Sequence, residues 1–163
     1  MLVKEYMLTD FAFISPDATL REAVKEMVQK GMNSMIVVDN KQKPIGLVSS
    51  QALIKEVIPA YLKDDPVYSQ YGAEETFCKY AEKARNRRVR DFMFKEIHLL
   101  RENDTMIEAA SYMVAGDRRT LPVVDKNGRL IGVVTRTCVK NALYNAIFPD
   151  NPRDPRNGGR NHS

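Results

Sequence analysis

Two apolar runs flank a turn in the segment Leu121-Pro-Val-Val-Asp-Lys-Asn-Gly-Arg-Leu-Ile-Gly-Val-Val-Thr135. Both runs are rich in β-branched residues, which favours strands. Between them, Asn127-Gly128 suits the positive φ angles of a tight hairpin turn. The pattern therefore predicts a β-hairpin.

The same pattern occurs a second time in the chain. Met35-Ile-Val-Val-Asp-Asn-Lys-Gln-Lys-Pro-Ile-Gly-Leu-Val-Ser49 lies 86 positions earlier, and this offset holds without a gap across residues 3–55 and 89–141. An internal repeat sets the architecture of a chain, and two copies are too few for a solenoid. We therefore expect one globular unit with pseudo-two-fold symmetry. Identical pairs along the offset include Val3 with Val89, Met7 with Met93, Thr19 with Thr105, Glu22 with Glu108, and Gly46 with Gly132.

Each copy also predicts helices around its hairpin. Thr19-x-x-Glu22 and Thr105-x-x-Glu108 have the form of capping boxes at helix N-termini. Apolar residues then recur at helical spacing, and a further apolar helix follows each hairpin. The order per copy is strand, helix, strand, strand, helix. Because a short sheet with helices on one face leaves its other face open, we expect an α+β fold in which two βαββα halves pack sheet to sheet about a pseudo-two-fold axis.

The copies divide the chain into four parts. Residues 1–58 form repeat 1, residues 59–88 an inserted helical linker, residues 89–148 repeat 2, and residues 149–163 a tail. The tail is rich in Pro, Gly and Asn and has no large apolar residue, so we expect it to be flexible. In the insertion, Ala73 to Asn86 predicts a helix. Its aromatic residues favour a packed segment over a free linker: Tyr61, Tyr68, Tyr71 and Phe77.

Composition is ordinary for a soluble domain. The chain has 163 residues, of which 44% are hydrophobic and 28% charged. No apolar run approaches the roughly 20 residues of a membrane span, and the charged N-terminus does not fit a signal peptide. Cys78 and Cys138 are the only cysteines, which predicts free thiols. We therefore expect a cytoplasmic protein without membrane insertion.

Several motifs recur in the same order in both copies: Met7 and Met93 opening each copy, Ser15-Pro-Asp-Ala-Thr-Leu-Arg-Glu-Ala and Asn103-Asp-Thr-Met-Ile-Glu-Ala, Leu121-Pro-Val-Val-Asp, and Gly46-Leu-Val-Ser and Gly132-Val-Val-Thr. On these motifs both copies resemble the cystathionine-β-synthase (CBS) domain, and the pair resembles the tandem-CBS regulatory module. The resemblance implies two clefts that commonly bind adenosine-containing ligands such as AMP, ADP or ATP, and assembly into a homodimer.

In that family the turn after each hairpin carries a Gly-x-x-Thr/Ser-x-x-Asp pattern. The hydroxyl and the following helix N-terminus suit a phosphate, and the Asp accepts ribose hydroxyls. This chain keeps the hydroxyl as Ser49 and Thr135 but has Ala52 and Cys138 in place of Asp. The loss of that carboxylate removes charge-assisted hydrogen bonds of about 1.5–3 kcal/mol each.

Arginines in the second copy can compensate, because their planar forks fit phosphate oxygens. The equivalent positions of the first copy, Met32, Asn33 and Ser50, are uncharged. We predict an anion site in the second copy at Thr135, Arg136, Arg118 and Arg119, with Leu99, Leu100 and Pro122 against a base, and Ser49 and Ile14 as the first-copy counterparts. The alternative is that Ser49 and Thr135 only cap helices and the arginines are solvated surface.

We expect no catalytic residue, no metal site and no cofactor beyond the nucleotide ligand. His98 and His162 are the only histidines, and neither has partners at metal-ligand spacing. The leading hypothesis is a regulatory module that senses a nucleotide and signals to an effector protein. The alternative is a scaffold for dimerisation or interaction that binds no ligand.

Residues 79–90 carry a net charge of +5. They could contact nucleic acid through its phosphates. We expect a solvated helix face instead, since charge runs on helices are usually that.

Overall fold

The structure, a computed structural model, describes residues 1–64, 67 and 73–155. Each repeat contains, in order, a strand, a helix, two further strands and a second helix. The elements are α1 (Val3–Tyr6), β1 (Phe13–Ile14), α2 (Leu20–Lys30), β2 (Ser34–Val38), β3 (Pro44–Ser49), α3 (Ser50–Val57), α4 (Ala60–Asp64), α5 (Ala73–Ala84), α6 (Val89–Phe92), β4 (Leu100–Arg101), α7 (Met106–Ala115), β5 (Thr120–Val124), β6 (Leu130–Thr135) and α8 (Arg136–Ile147).

Each repeat forms a three-stranded sheet, in the order β1-β2-β3 or β4-β5-β6. The first strand runs parallel to the second, with Ile14 opposite Val37 and Leu100 opposite Val123. In the second sheet β5 and β6 are antiparallel, with Thr120 opposite Thr135. The α+β class and the βαββα order of both halves are therefore confirmed.

The predicted helix starts are confirmed at the level of single hydrogen bonds. Thr19 Oγ1 accepts from Glu22 N at 3.2 Å, and Glu22 Oε2 accepts from Thr19 N at 2.8 Å. Thr105 Oγ1 accepts from Glu108 N at 3.2 Å, which is the first of the two capping-box bonds. These bonds satisfy N–H groups that a helix N-terminus leaves without partners.

The compact units of the fold do not coincide with the sequence repeats. Unit 1 comprises Met1–Phe11, Val38–Ile45 and Glu96–Ser163, and unit 2 comprises Ala12–Val37 and Gly46–Lys95. The segment that opens the chain therefore packs with repeat 2, and the segment that opens repeat 2 packs with repeat 1.

Backbone hydrogen bonds fix both exchanged segments. In unit 1, Val3 N donates to Asp104 O at 2.8 Å, and α1 packs against α7, α8 and β4. In unit 2, Val89 N donates to Ala18 O at 2.8 Å, and α6 packs against α3. The core of unit 1 therefore contains side chains of the segment that opens the chain and of repeat 2: Val3, Tyr6, Leu100, Met106, Ala109, Met113, Leu121, Val123, Val134, Cys138 and Ala142.

The insertion contributes α4 and α5. Helix α5 begins at the predicted Ala73, ends at Ala84, and packs against α3 within unit 2. Ala84 is buried, whereas Phe77 is 55% exposed. Tyr68 and Tyr71, also predicted to pack, lie outside the described residues.

The described part of the predicted flexible tail folds back on α8. Asn145 Nδ2 donates to Arg153 O at 3.0 Å, Asn145 Oδ1 accepts from Arg153 N at 2.8 Å, and Asn141 Nδ2 donates to Pro155 O at 3.3 Å. The Arg153 guanidinium also lies 5.1 Å from the centre of the Tyr144 ring. Residues 156–163 lie outside the described residues, so flexibility there stays a prediction.

Candidate functional site

Thr135 caps the N-terminus of α8. Its Oγ1 accepts from Cys138 N at 3.4 Å, and Cys138 Sγ in turn accepts from Thr135 N at 3.3 Å. Cys138 is 1% exposed and packs in the core of unit 1. The residue that stands at the family's Asp position thus serves the helix cap, and its side chain presents no polar group to solvent.

The backbone of the three predicted arginines lies at this same corner. Arg136 N donates to Arg119 O at 3.3 Å, so the residue before β5 lies beside the start of α8. The Arg136 guanidinium pairs with Asp117 at 2.9 Å, but Asp117 is 97% exposed and Arg136 50%. Exposed pairs of this kind contribute little to stability, about 0–1 kcal/mol, so Arg136 is available to another anion.

Arg118 is held more closely than the other two arginines. Its Nη1 donates to Tyr112 O at 3.2 Å, in the last turn of α7, and the same carbonyl accepts from Gly116 N at 3.2 Å. Its guanidinium lies so close to Gly116 that a Cβ there would overlap it. Arg118 Nε is buried and has no hydrogen-bond partner within the described chain. This donor is therefore left to be satisfied by water or by a ligand.

The apolar part of the predicted site is mostly core. Leu99 is 41% exposed, whereas Leu100 is fully buried and pairs across the sheet with Val123. Pro122 is also fully buried, in β5. Leu100 and Pro122 are therefore core residues of β4 and β5, and their contact with a ligand stays a prediction.

Sequence reasoning missed an aromatic pair next to these residues. The rings of His98 and Tyr112 stack with 3.3 Å between their centres and 18° between their planes. His98 immediately precedes Leu99, and the carbonyl of Tyr112 binds Arg118. The two residues are 14 positions apart, so no local pattern in the sequence could predict the stack.

The first-copy counterparts lie in unit 2. Ser49 caps α3 by accepting from Ala52 N at 3.2 Å, and Ile14 is buried. At the position equivalent to the three arginines there is a groove of about 360 Å³, where Ser50 Oγ donates to Asn33 O at 3.2 Å. This groove has no charged residue in its lining: Val24, Met27, Val28, Gly31, Met32, Asn33, Ser50, Leu53 and Ile54. The two copies therefore differ in charge at the same place.

The basic segment 79–90 is largely occupied with unit 2 itself. Arg85 pairs with Glu82 at 2.6 Å, and Arg87 pairs with Glu56. Arg90 pairs with Asp17, and Arg88 donates to the Asp17 carbonyl. Arg87, Arg88 and Arg90 follow the end of α5 and contact Glu56 or Asp17, so this part of the segment is not the expected solvated helix face. These contacts also do not favour a surface for nucleic acid.

Comparison with known proteins defines the class. The CBS domain family matches residues 3–59 and 89–145, and the chain belongs to this family as a protein with two CBS domains. It is 30% identical over 121 residues to the uncharacterized protein MK0525 of Methanopyrus kandleri, covering 74% of this chain and 52% of that protein. The chain thus spans about half the length of that relative.

In two further matches, the aligned region covers nearly all of this chain and nearly all of the other protein. The CBS domain-containing protein DDB_G0289609 of Dictyostelium discoideum is 28% identical over 153 residues, covering 94% of this chain and 98% of that protein. The crystal structure of CBSX2 in complex with AMP is 24% identical with a TM-score of 0.67, covering 90% of this chain and 98% of that one. The recognition of the family from the repeated motifs is confirmed. Among the described residues, no helix is both long and apolar enough to cross a bilayer.

Proposed function

We propose that this chain is a regulatory module that binds an adenosine-type nucleotide, AMP, ADP or ATP, at the arginine corner of unit 1 and signals to a partner protein. The observation that supports the proposal is the position of three arginines near the N-terminus of α8: Arg136 begins the helix, its N–H donates to the carbonyl of Arg119, and its guanidinium pairs with Asp117, which precedes Arg118 in the chain. Guanidinium groups and a helix N-terminus favour a phosphate. The fold it shares with CBSX2, which has been crystallised with AMP, supports the ligand class.

Each arginine would have its own part in binding. Arg136 would exchange its exposed Asp117 carboxylate for a phosphate oxygen. Arg118 would supply its buried Nε, whose desolvation is otherwise uncompensated. Leu99 and the His98–Tyr112 stack would offer apolar and aromatic surface to the base. The second copy would therefore bind more tightly than the first, whose equivalent groove is uncharged.

Thermal unfolding with a panel of AMP, ADP, ATP, S-adenosylmethionine and inorganic phosphate tests this proposal. Binding stabilises the folded state by about 2.7 kcal/mol at a hundredfold excess over Kd. The variant Arg118→Gln/Arg136→Gln should lose this shift, while Arg101→Gln, an exposed arginine of the same unit, should keep it. If the ligand still raises the unfolding temperature of the double variant, the ligand binds elsewhere.

A scaffold that binds no ligand is the second candidate, and Cys138 favours it. Its side chain is buried and committed to the cap of α8, so the carboxylate that would hold a ribose is replaced by a group that cannot reach one. Ala52 has no polar side chain at all in the other copy. Absence of any shift across the whole panel, together with retained self-association, would decide for this function.

Self-association would use exposed apolar residues of equivalent helices in the two units. Val28 on α2 of unit 2 is 76% exposed and Val114 on α7 of unit 1 is 84% exposed, at equivalent positions of the two repeats. Exposed apolar patches often mark contacts between proteins. The homodimer, the effector partner, a cytoplasmic location and the lack of catalytic activity are parts of the same proposal.

A further inference from the structure

The turns of the two hairpins lie side by side in unit 1. Leu130 N donates to Gln42 O at 2.9 Å, and the Lys43 side chain comes within van der Waals reach of Gly128. We call residues 39–43 and 125–129 together the hairpin-turn patch. Turns that are 86 positions apart in the sequence therefore form one continuous surface.

This surface carries four cationic side chains and two carboxylates, a net charge of about +2. Within the described chain, none of the four cations lies in a salt bridge, although other exposed arginines and lysines do. The four cations are exposed residues: Lys41, Lys43, Lys126 and Arg129.

The two aspartates of the patch offset part of this positive charge, but their Oδ1 atoms are bonded to the turns. Asp39 Oδ1 accepts from Lys41 N at 2.8 Å and from Lys43 N at 3.0 Å. Asp125 Oδ1 accepts from Asn127 N at 2.7 Å and from Arg129 N at 3.0 Å. The backbone N–H groups of Lys43 and Arg129 hold the pKa of Asp39 and Asp125, respectively, below the usual value, and the nearby cations help to lower it. Both carboxylates thus stay ionised and turned into their own loops.

We propose that the hairpin-turn patch is a docking surface for an acidic segment of a partner protein. Carboxylates spaced along a peptide can pair with the four cations without lying next to the two ionised aspartates. A phosphate backbone carries charge at every step and would meet those aspartates as well. The patch also has exposed amides, Asn40, Gln42 and Asn127, which can hydrogen-bond a peptide main chain, and it has no aromatic residue on which a base could stack. The proposal does not depend on nucleotide binding.

Fluorescence anisotropy of a labelled peptide of alternating Glu and Ser tests the proposal. The wild-type chain should bind it at low salt, and binding should weaken as ionic strength rises toward about 0.15 M because exposed charges are screened. The variant Lys41→Gln/Lys43→Gln/Lys126→Gln/Arg129→Gln should bind about tenfold more weakly, which corresponds to about 1.4 kcal/mol. Both turns should persist, because Asp39 and Asp125 are unchanged, and equal unfolding midpoints would check this.

The matched control removes four exposed lysines from unit 2. Lys25→Gln/Lys55→Gln/Lys79→Gln/Lys83→Gln makes the same change in net charge and should alter peptide affinity by less than about twofold. Equal weakening in both variants would overturn the proposal, since overall charge would then explain binding. Tighter capture of single-stranded DNA, or of vesicles with anionic lipid, through the same four residues would also overturn it, as would no peptide binding at low salt.

Discussion

Met7 packs its sulfur against Gly132, so closely that a Cβ at Gly132 would lie 2.9 Å from Sδ. Met93 has the same relationship to Gly46 in unit 2, also at 2.9 Å. Each methionine belongs to an exchanged opening segment, and each glycine to the last strand of the sheet that receives it. Within each unit, the methionine of one repeat thus contacts the glycine of the other repeat.

Gly132→Ala and Gly46→Ala should each destabilise the fold by about 1–3 kcal/mol, the usual cost of overpacking. The new Cβ would lie 3.0 Å from the carbonyl oxygen of Leu8 or Phe94, and the backbone cannot move away cheaply. Urea unfolding monitored by circular dichroism measures the change. The double variant Met7→Ala/Gly132→Ala should lose less stability than the sum of the two single variants, because Met7→Ala removes the clash with Sδ and leaves the clash with the Leu8 carbonyl. A neutral Gly132→Ala would contradict the described contact.

Gln42→Gly should stabilise the fold. Gln42 has φ of 63°, the left-handed region that favours glycine, and it occupies the place that Gly128, φ 79°, takes in the second hairpin. Relief of this conformation is worth about 1 kcal/mol, less the added freedom of glycine in the unfolded chain. The reciprocal change Gly128→Gln should destabilise by a similar amount. Chemical denaturation of both variants gives the comparison, and a loss of stability in Gln42→Gly would refute this explanation of the turn.

Stability should fall in acid through Asp39 and Asp125. Their pKa values are lowered in the folded state, first by the N–H groups of Lys43 and Arg129. A depressed pKa contributes stability that is present above the unfolded value, about 3.9, and is lost as pH falls through the folded value. In Asp39→Asn/Asp125→Asn this part of the acid dependence should disappear. Unfolding midpoints between about pH 2 and 6 for the two proteins test it, and parallel curves would contradict it.

Val28→Glu/Val114→Glu should convert a homodimer into a monomer, because two charges would be buried in an apolar contact. Light scattering after size exclusion measures the mass. Tyr61→Glu/Phe77→Glu is the matched control, since these aromatic residues are 54% and 55% exposed on α4 and α5. If the control dissociates the dimer and the valine variant does not, the contact uses the inserted helices instead of α2 and α7.

Much of the fold follows from local rules in the sequence. The offset of 86 residues, the Thr-x-x-Glu caps and the two hairpins determined which segments form strands and helices, because capping and strand propensity act over a few residues. The sequence also indicated a cluster of arginines at the start of α8. What local rules could not specify is which repeat each opening segment joins, because that choice depends on contacts between residues far apart in the sequence, such as Val3 with Asp104 and Val89 with Ala18.

The same distinction applies to the site and to the patch. Sequence alone determined that Cys138 and Ala52 stand where the family has Asp, and that Arg118, Arg119 and Arg136 are charged while their counterparts are not. Only the tertiary structure decided that Leu100 and Pro122 are core, that Tyr112 stacks on His98, and that the turn at Gln42 lies against the turn at Gly128. The reason is physical: side-chain type is fixed residue by residue, whereas exposure and neighbours are set by how the sheets and helices close on one another.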